Sequence, residues 1–174
     1  VTAKIALGYR LPEIKNKITD QPAAYLEPDV DYVVVKMPRW DFQKFKSPNR
    51  RLGTQMKSVG EVMAIAKTFE EALQKAVRML DINKELTNDE IGESIEEIKN
   101  ELANPTDRRI FYLVEAFRRG ITVEEIYGLT GIDPFFLKGI KNIVDFENAL
   151  KSSKLTRETL RKTKQLGFSD REIG

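Results

Sequence analysis

From Thr68 onward the chain repeats one local pattern: a hydroxyl residue followed three positions later by Glu, at the head of an amphipathic stretch. Thr68/Glu71, Thr87/Glu90, Thr122/Glu125 and Ser169/Glu172 all have it. At that spacing the hydroxyl accepts the amide of the third helical residue while the Glu side chain accepts the amide of the cap. Two donors that a helix start leaves bare are thereby satisfied. Asp133 followed by Pro134 marks a further start, with a capping oxygen ahead of a proline that fits the first turn. Gly120, Gly131 and Gly167 fall where helices should stop. The pattern predicts helices over about 69–80, 88–102, 107–119, 123–129, 134–151 and 157–166. Their short connections make antiparallel neighbours, and so a small helical domain.

The first part of the chain reads differently. Val1–Leu7 is patterned as a short helix, and Leu11–Ile18 as a second with Pro12 in its first turn. Pro22 and Pro28 then break the chain. Tyr32–Met37 (YVVVKM) is β-branched and aromatic between Asp31 and Pro38, which predicts a strand. Val59–Lys67 (VGEVMAIAK) is short, apolar and interrupted by Gly60, which predicts a second strand, although its Ala and Met content also allows helix. An antiparallel pair across the loop 38–58 completes the expected fold class, mostly α within α+β. Charge changes along the same line. Residues 1–80 hold fourteen Lys/Arg against nine Asp/Glu, a net +5, and the remainder is −3. The expected boundary is near Asp81, giving domains 1–81 and 82–174.

The total charge of +2 is too close to balance to mark the whole chain as a binder of nucleic acid or of a membrane surface. With neither Cys nor His, the chain has no disulfide framework, thiolate zinc site, cysteine nucleophile or imidazole base. No apolar run approaches the ~20 residues that span a bilayer, and no signal peptide is legible at the N-terminus, so a cytoplasmic location is expected. Val1 stands where a start would have Met, and Val1–Gly8 is already patterned as helix interior, so a piece of a longer chain is expected.

Three segments carry possible chemistry. Asp89, Glu93, Glu97 and Glu101 recur every fourth residue and line one helical face, where a divalent ion or an acid/base pair is conceivable. The simpler reading is a solvated face opposite the apolar stripe Ile91, Ile95, Ile98 and Leu102. The stretch 36–57 carries seven cations (Lys36, Arg39, Lys44, Lys46, Arg50, Arg51, Lys57) against Asp41 alone, interleaved with Trp40, Phe42 and Phe45. Such a loop suits single-stranded nucleic acid, with cations on phosphates and rings on bases. It equally suits a loop pinned by its own aromatics with its cations solvated or paired. Finally, TQMKSVGEVMAIAK (54–67) mixes small, apolar and polar residues without a clean period. That is the composition of a wall, with Ser58 and Gly60 giving room and Met56 and Val59 excluding water, or else of a buried strand reached through a structured loop.

At this last segment the sequence resembles a known family. TQMKSVGEVMAIAK, with VTAKIALGY, EPDVDYVVVKMPRW and FQKF upstream, closely resembles the large subunit of carbamoyl phosphate synthetase. DRRIFYLVEAFRRGITVEEIYGLTGIDPFFL (107–137) resembles that family's helical oligomerisation domain, including Thr130, Ile132, Asp133, Phe136 and Leu137. The resemblance runs in order over essentially the whole chain.

The resemblance implies that residues 1–81 are the tail of the ATP-grasp unit that makes carboxyphosphate and then carbamate. It implies that 82–174 are most of the oligomerisation domain. In the family a second ATP-grasp unit phosphorylates carbamate, a glutaminase small subunit supplies ammonia through a tunnel, and the product feeds pyrimidine and arginine biosynthesis. The nucleotide and metal residues of the family would precede Val1. The resemblance therefore implies no catalytic, cofactor or metal residue here, with ATP and Mg (or Mn) held elsewhere in the parent enzyme. It implies that Met56 and Val59 line the carbamate tunnel, with Pro48 at a position where the family has a small residue; Ala66 replaces a common glycine. Expected partners are the rest of the large chain, the glutaminase subunit and further copies through the helical domain, with neither nucleic acid nor membrane. Exposed apolar surface around Val1, Ile5, Leu7, Val33 and Val35 is expected where the ATP-grasp core is missing.

Overall fold

A computed structural model describes residues 1–17, 29–44, 49–82, 84–87 and 91–174. The chain divides into two compact units, Val1–Asp31 and Tyr32–Gly174. The first holds α1 (Thr2–Ala6) and a 3-10 turn at Leu11–Glu13, with Pro12 where its missing amide costs nothing. The Arg10 amide donates to the Glu13 carboxylate at 2.9 Å, and the Lys4 ammonium sits over the Tyr9 ring. The second predicted helix is therefore a single turn in the residues described, and Ile18 lies outside them.

In the second unit, β1 (Val33–Arg39) and β2 (Gly60–Ala66) pair antiparallel, with Val33 opposite Ala66 and Arg39 opposite Gly60. Side chains alternate across a pleat, so Val35, Met37, Ala64 and Ala66 face inward while Val34, Met63 and Ile65 stay exposed. In the first unit Val1, Ile5 and Leu7 are exposed as expected, whereas on the strands the exposed apolar residues are Val34, Met63 and Ile65 in place of Val33 and Val35. Val35 packs on the core, because the single buried face of the pair takes every second residue.

Helix α2 (Phe69–Met79) follows, capped by Thr68, whose hydroxyl accepts the Glu71 amide. It contacts both strands on one side and two later helices on the other, which is why Ala72, Leu73, Gln74, Ala76 and Val77 are all buried. The helical part comprises α3 (Ile95–Ala103), α4 (Arg109–Arg118), α5 (Val123–Thr130), α6 (Pro134–Lys151), α7 (Arg157–Leu166) and α8 (Asp170–Ile173). One continuous core joins Leu73 and Val77 of α2 to Ile98, Leu102, Tyr112, Ile126, Leu137, Ile143 and Phe168. The mostly α, α+β class is as expected, and no described helix is long and apolar enough to cross a membrane.

The written caps hold at Thr122/Glu125 and Ser169/Glu172, and Asp133 accepts the Phe135 amide ahead of Pro134. Of the pair Thr87/Glu90, Glu90 lies outside the described residues, and Thr87 does not cap α3. Helix α3 starts instead from the capping box Ser94/Glu97, while the buried Thr87 hydroxyl donates to Glu172 at 2.7 Å. That bond helps tie down α8, as does the 2.6 Å bond from the Ser169 hydroxyl to Glu85. Burial, with the Glu85 carboxyl beside it, pushes the Glu172 carboxyl above its usual range.

Behind α4 lies a buried ionic cluster. Arg118 pairs with Glu147 at 2.9 Å and donates to the Thr87 carbonyl, while Arg119 holds the buried Glu115 at 2.7 Å. Lys151 completes it on Glu147.

Two predictions follow from the helix ends. Gly131 and Gly167 both close helices with positive φ (67° and 97°), but their surroundings differ. A Cβ at Gly131 meets nothing within 4 Å, whereas at Gly167 it falls 2.9 Å from the Glu71 Cα. Gly131→Ala is expected to cost about 1–2 kcal/mol, the left-handed penalty alone. Gly167→Ala should cost more, because the backbone of α2 has to move, and urea denaturation of the two variants gives the ranking.

The second prediction concerns acid. The cap amides of Ser94 and Thr122 hold the Glu97 and Glu125 carboxyls below their ordinary value of 4.5. Because the folded value is the lower one, their stabilisation is complete above 4.5 and is lost as pH falls through the folded value. Glu97→Gln with Glu125→Gln should therefore flatten the decline of the urea midpoint below pH 4.5.

Candidate functional site

The strands are joined by residues 40–59, which contain the basic aromatic stretch and the expected wall. The segment opens with a 3-10 turn at Phe42–Lys44. There the Lys44 ammonium bonds Asp41 at 2.6 Å and, as the largest influence, holds that carboxyl below its usual range. Phe42 is buried, and the Arg50 guanidinium lies over its ring at 5.5 Å. Arg50 then grips Asp107 with two parallel bonds, Nε to Oδ1 at 2.9 Å and Nη2 to Oδ2. This is the fork geometry that fixes orientation as well as distance. The Leu52 amide donates to the Pro105 carbonyl at 2.7 Å. Lys57 folds back, its ammonium donating to the carbonyls of Asn49 at 2.9 Å and Arg51 at 2.6 Å. The Val59 amide closes the segment on the Arg39 carbonyl at 2.9 Å.

Five of the cations that give this stretch its basic character thus have protein partners. Lys36 pairs with Glu61 at 3.0 Å and Arg39 donates to the Leu80 carbonyl at 3.0 Å, besides Lys44, Arg50 and Lys57. Lys46 and Phe45 lie outside the described residues, as does Pro48. Met56 and Val59 stand on the surface, 85% and 59% exposed. An apolar pair this exposed, on a segment held at both ends, is a surface suited to contact rather than core.

Sequence reading did not anticipate a cavity of about 310 Å³ between the end of β1 and the start of α4. Trp40, Phe42, Phe111 and Tyr112 contribute its rings; Arg39, Arg50, Lys84, Arg108, Glu93 and Asp107 contribute its charges. Most of those charges are engaged within the wall. Lys84 lies over Phe111 at 5.5 Å and Arg108 over Tyr112 at 5.2 Å. The Tyr112 hydroxyl donates to both oxygens of Glu93 at 2.9 and 2.8 Å. Burial, reinforced by Glu93, raises the phenol well above its ordinary value, so it stays protonated and serves as a donor, not a base. No local signal marks this cavity, because its lining comes from five separate stretches of chain.

Among the described residues, Glu93, Glu97 and Glu101 are not brought together as a ligand set. Glu93 precedes α3 and accepts from Tyr112, Glu97 caps α3, and Glu101 accepts the Thr106 hydroxyl at 3.0 Å while facing Arg108 at 3.6 Å. Asp89 lies outside the described residues. The stripe opposite is also shorter than its spacing suggests: Ile98 and Leu102 are buried while Ile95 is exposed. This donor set does not fit a magnesium-bound nucleotide.

Fold and clamps together define a helical packing module with a strand pair strapped to it. Residues 61–174 match the family described as carbamoyl-phosphate synthetase large chain, oligomerisation domain. The chain belongs to that family. It is 52% identical to the N-terminal section of the carbamoyl phosphate synthase large chain of Aquifex aeolicus, over 99% of this chain and 31% of the relative. The corresponding section of Methanopyrus kandleri is 47% identical, over 99% of this chain and 34% of the relative. The undivided large chain of Caldanaerobacter subterraneus is 49% identical, over 99% of this chain and 16% of the relative. The chain thus spans about a third of the sectioned relatives and about a sixth of the undivided one.

Tyr112→Phe provides a test of the cavity wall. Losing a donor shared by both oxygens of a half-buried carboxylate is expected to cost about 1.5–3 kcal/mol, read as a lower urea midpoint with unchanged far-UV circular dichroism.

Proposed function

We propose that this chain is a structural section of a carbamoyl phosphate synthase large chain, within an enzyme that makes carbamoyl phosphate from bicarbonate, glutamine-derived ammonia and two ATP. Residues 1–81 serve as the tail of the carboxyphosphate-forming ATP-grasp domain and 82–174 as most of the oligomerisation domain. The parent enzyme holds ATP with Mg (or Mn) elsewhere, works in the cytoplasm, and assembles with a glutaminase small subunit and with further large chains. Its product serves pyrimidine and arginine biosynthesis. In this section Pro48, Met56 and Val59 wall the passage through which carbamate travels between the two ATP sites.

The observation that carries this reading is the exposed apolar pair Met56 and Val59 on a segment tied at both ends, in a chain that matches its relatives over 99% of its length. Carbamate hydrolyses in water, so its route needs apolar, rigid walls that exclude water while leaving room. The alternative of a single-stranded nucleic-acid platform at 36–57 is disfavoured by the same geometry. Lys36, Lys44 and Arg50 are each paired with a carboxylate, and Arg39 and Lys57 spend donors on backbone carbonyls, so fewer cations of the stretch are free to replace counterions on phosphates.

Met56→Lys in the intact enzyme is the test. A charge at that position holds water or blocks passage. Bicarbonate-dependent ATP hydrolysis should persist while carbamoyl phosphate formation falls. Unchanged coupling of the two would remove Met56 from the passage.

A further inference from the structure

We infer that the turn between α3 and α4 positions the Met56–Val59 wall, with Asp107 as the positioning residue. The inference rests on the proposed wall and adds what holds that wall in place. Residues 40–59 cross from one strand to its antiparallel neighbour, a connection far longer than a hairpin needs, and among its described residues the turn at Phe42–Lys44 is the only regular structure. Left to itself, a connection of this length samples many conformations, and two apolar side chains near its end would have no fixed place.

Two bonds to one turn change that. Arg50 forks onto Asp107, and two residues later the Leu52 amide reaches the Pro105 carbonyl. From Leu52 to Met56 is four residues, a reach of at most ~14 Å even when fully extended. Val59 is fixed from the other side by the Arg39 carbonyl. Met56 therefore sits in a short arc with both ends held, and Lys57 draws that arc back onto the carbonyls of Asn49 and Arg51. The side chains of Arg50 and Asp107 are only 34% and 15% exposed, so solvent screens the pair less than an open surface pair.

The turn is the rigid partner in this arrangement. Its Thr106 hydroxyl donates to Glu101 and accepts the Arg108 amide, and Asn104 bonds back to Asn100. Arg108 is set against Tyr112, which holds Glu93. Asp107 thus projects from a turn whose geometry is fixed by α3 and α4, and the connection of the strands conforms to it. The helical part of the molecule sets where the wall stands.

The test uses the full-length large chain with its small subunit, and reads ATP hydrolysed per carbamoyl phosphate formed. Asp107→Asn and Arg50→Asp should each raise that ratio severalfold with bicarbonate-dependent hydrolysis little changed. The exchanged pair, Arg50→Asp with Asp107→Arg, should bring it back toward wild type. Amide hydrogen exchange in Asp107→Asn should quicken at residues 52–59 while α2 and α4 keep their protection, which separates lost positioning from general unfolding. An unchanged ratio in Asp107→Asn beside a raised ratio in Met56→Lys would overturn the positioning role and leave the wall standing. An unchanged ratio in Met56→Lys would overturn the wall and the inference with it. Unaltered exchange at 52–59 in Asp107→Asn would overturn the inference directly.

Discussion

A pair of β-strands has too little surface to be stable in water by itself, and the second unit depends on the helix that gives this pair a floor. Helix α2 lies between the sheet and the helical core, and small residues let it approach both closely: Ala72 and Ala76 are fully buried. Leu73 and Val77 carry its apolar contribution, each on the order of 1.5–3 kcal/mol when fully buried. On the far side, Gly139 of α6 leaves the room that the Phe69 ring occupies; a Cβ there would stand 2.5 Å from that ring. The strands, the connection between them and the cavity all inherit their position from this helix.

Polar groups then fix what apolar packing leaves loose. Gln74 and Arg78 of α2 donate to the carbonyls of Leu166 and Gly167 at 2.9 and 2.6 Å, where the end of α7 lacks helical partners. The same logic joins the connection 40–59 to the turn at Pro105–Asp107. In both places a backbone carbonyl left over by one element is satisfied by a side chain or amide of another, so the register between elements is set by directional bonds. The carbamate passage, as proposed above, would need walls that do not drift, and such bonds provide them.

How much of this was readable follows the range of each interaction. Helix caps act over three residues, so Thr122/Glu125 and Ser169/Glu172 could be located from spacing alone, as could the helix spans of α5, α6 and α7. Thr87 had the same spacing to Glu90 yet does not cap α3, because its hydroxyl is used by Glu172, 85 residues away. Strand alternation was visible, but which face the core would take was not, and Val35 turned inward where exposure was expected. The Arg50–Asp107 fork spans 57 residues and left no trace in either segment. The cavity depends on five stretches meeting, and so was legible nowhere. Of the wall residues, Met56 and Val59 stood out by composition as well as by resemblance and are exposed, whereas Pro48 came from resemblance alone and lies outside the described residues.

The ionic cluster behind α4 has a consequence for how this sequence can change. Removing one member of a buried ion pair leaves its partner charged and dry, at about 3–5 kcal/mol, whereas replacing the whole group by well-packed apolar residues is often neutral. Arg118, Glu147 and Glu115, with Arg119 and Lys151 at the margin, therefore cannot drift one at a time. Across descendants of this chain they should be kept together or lost together, as a single inherited block linking α4, α6 and the segment before α3.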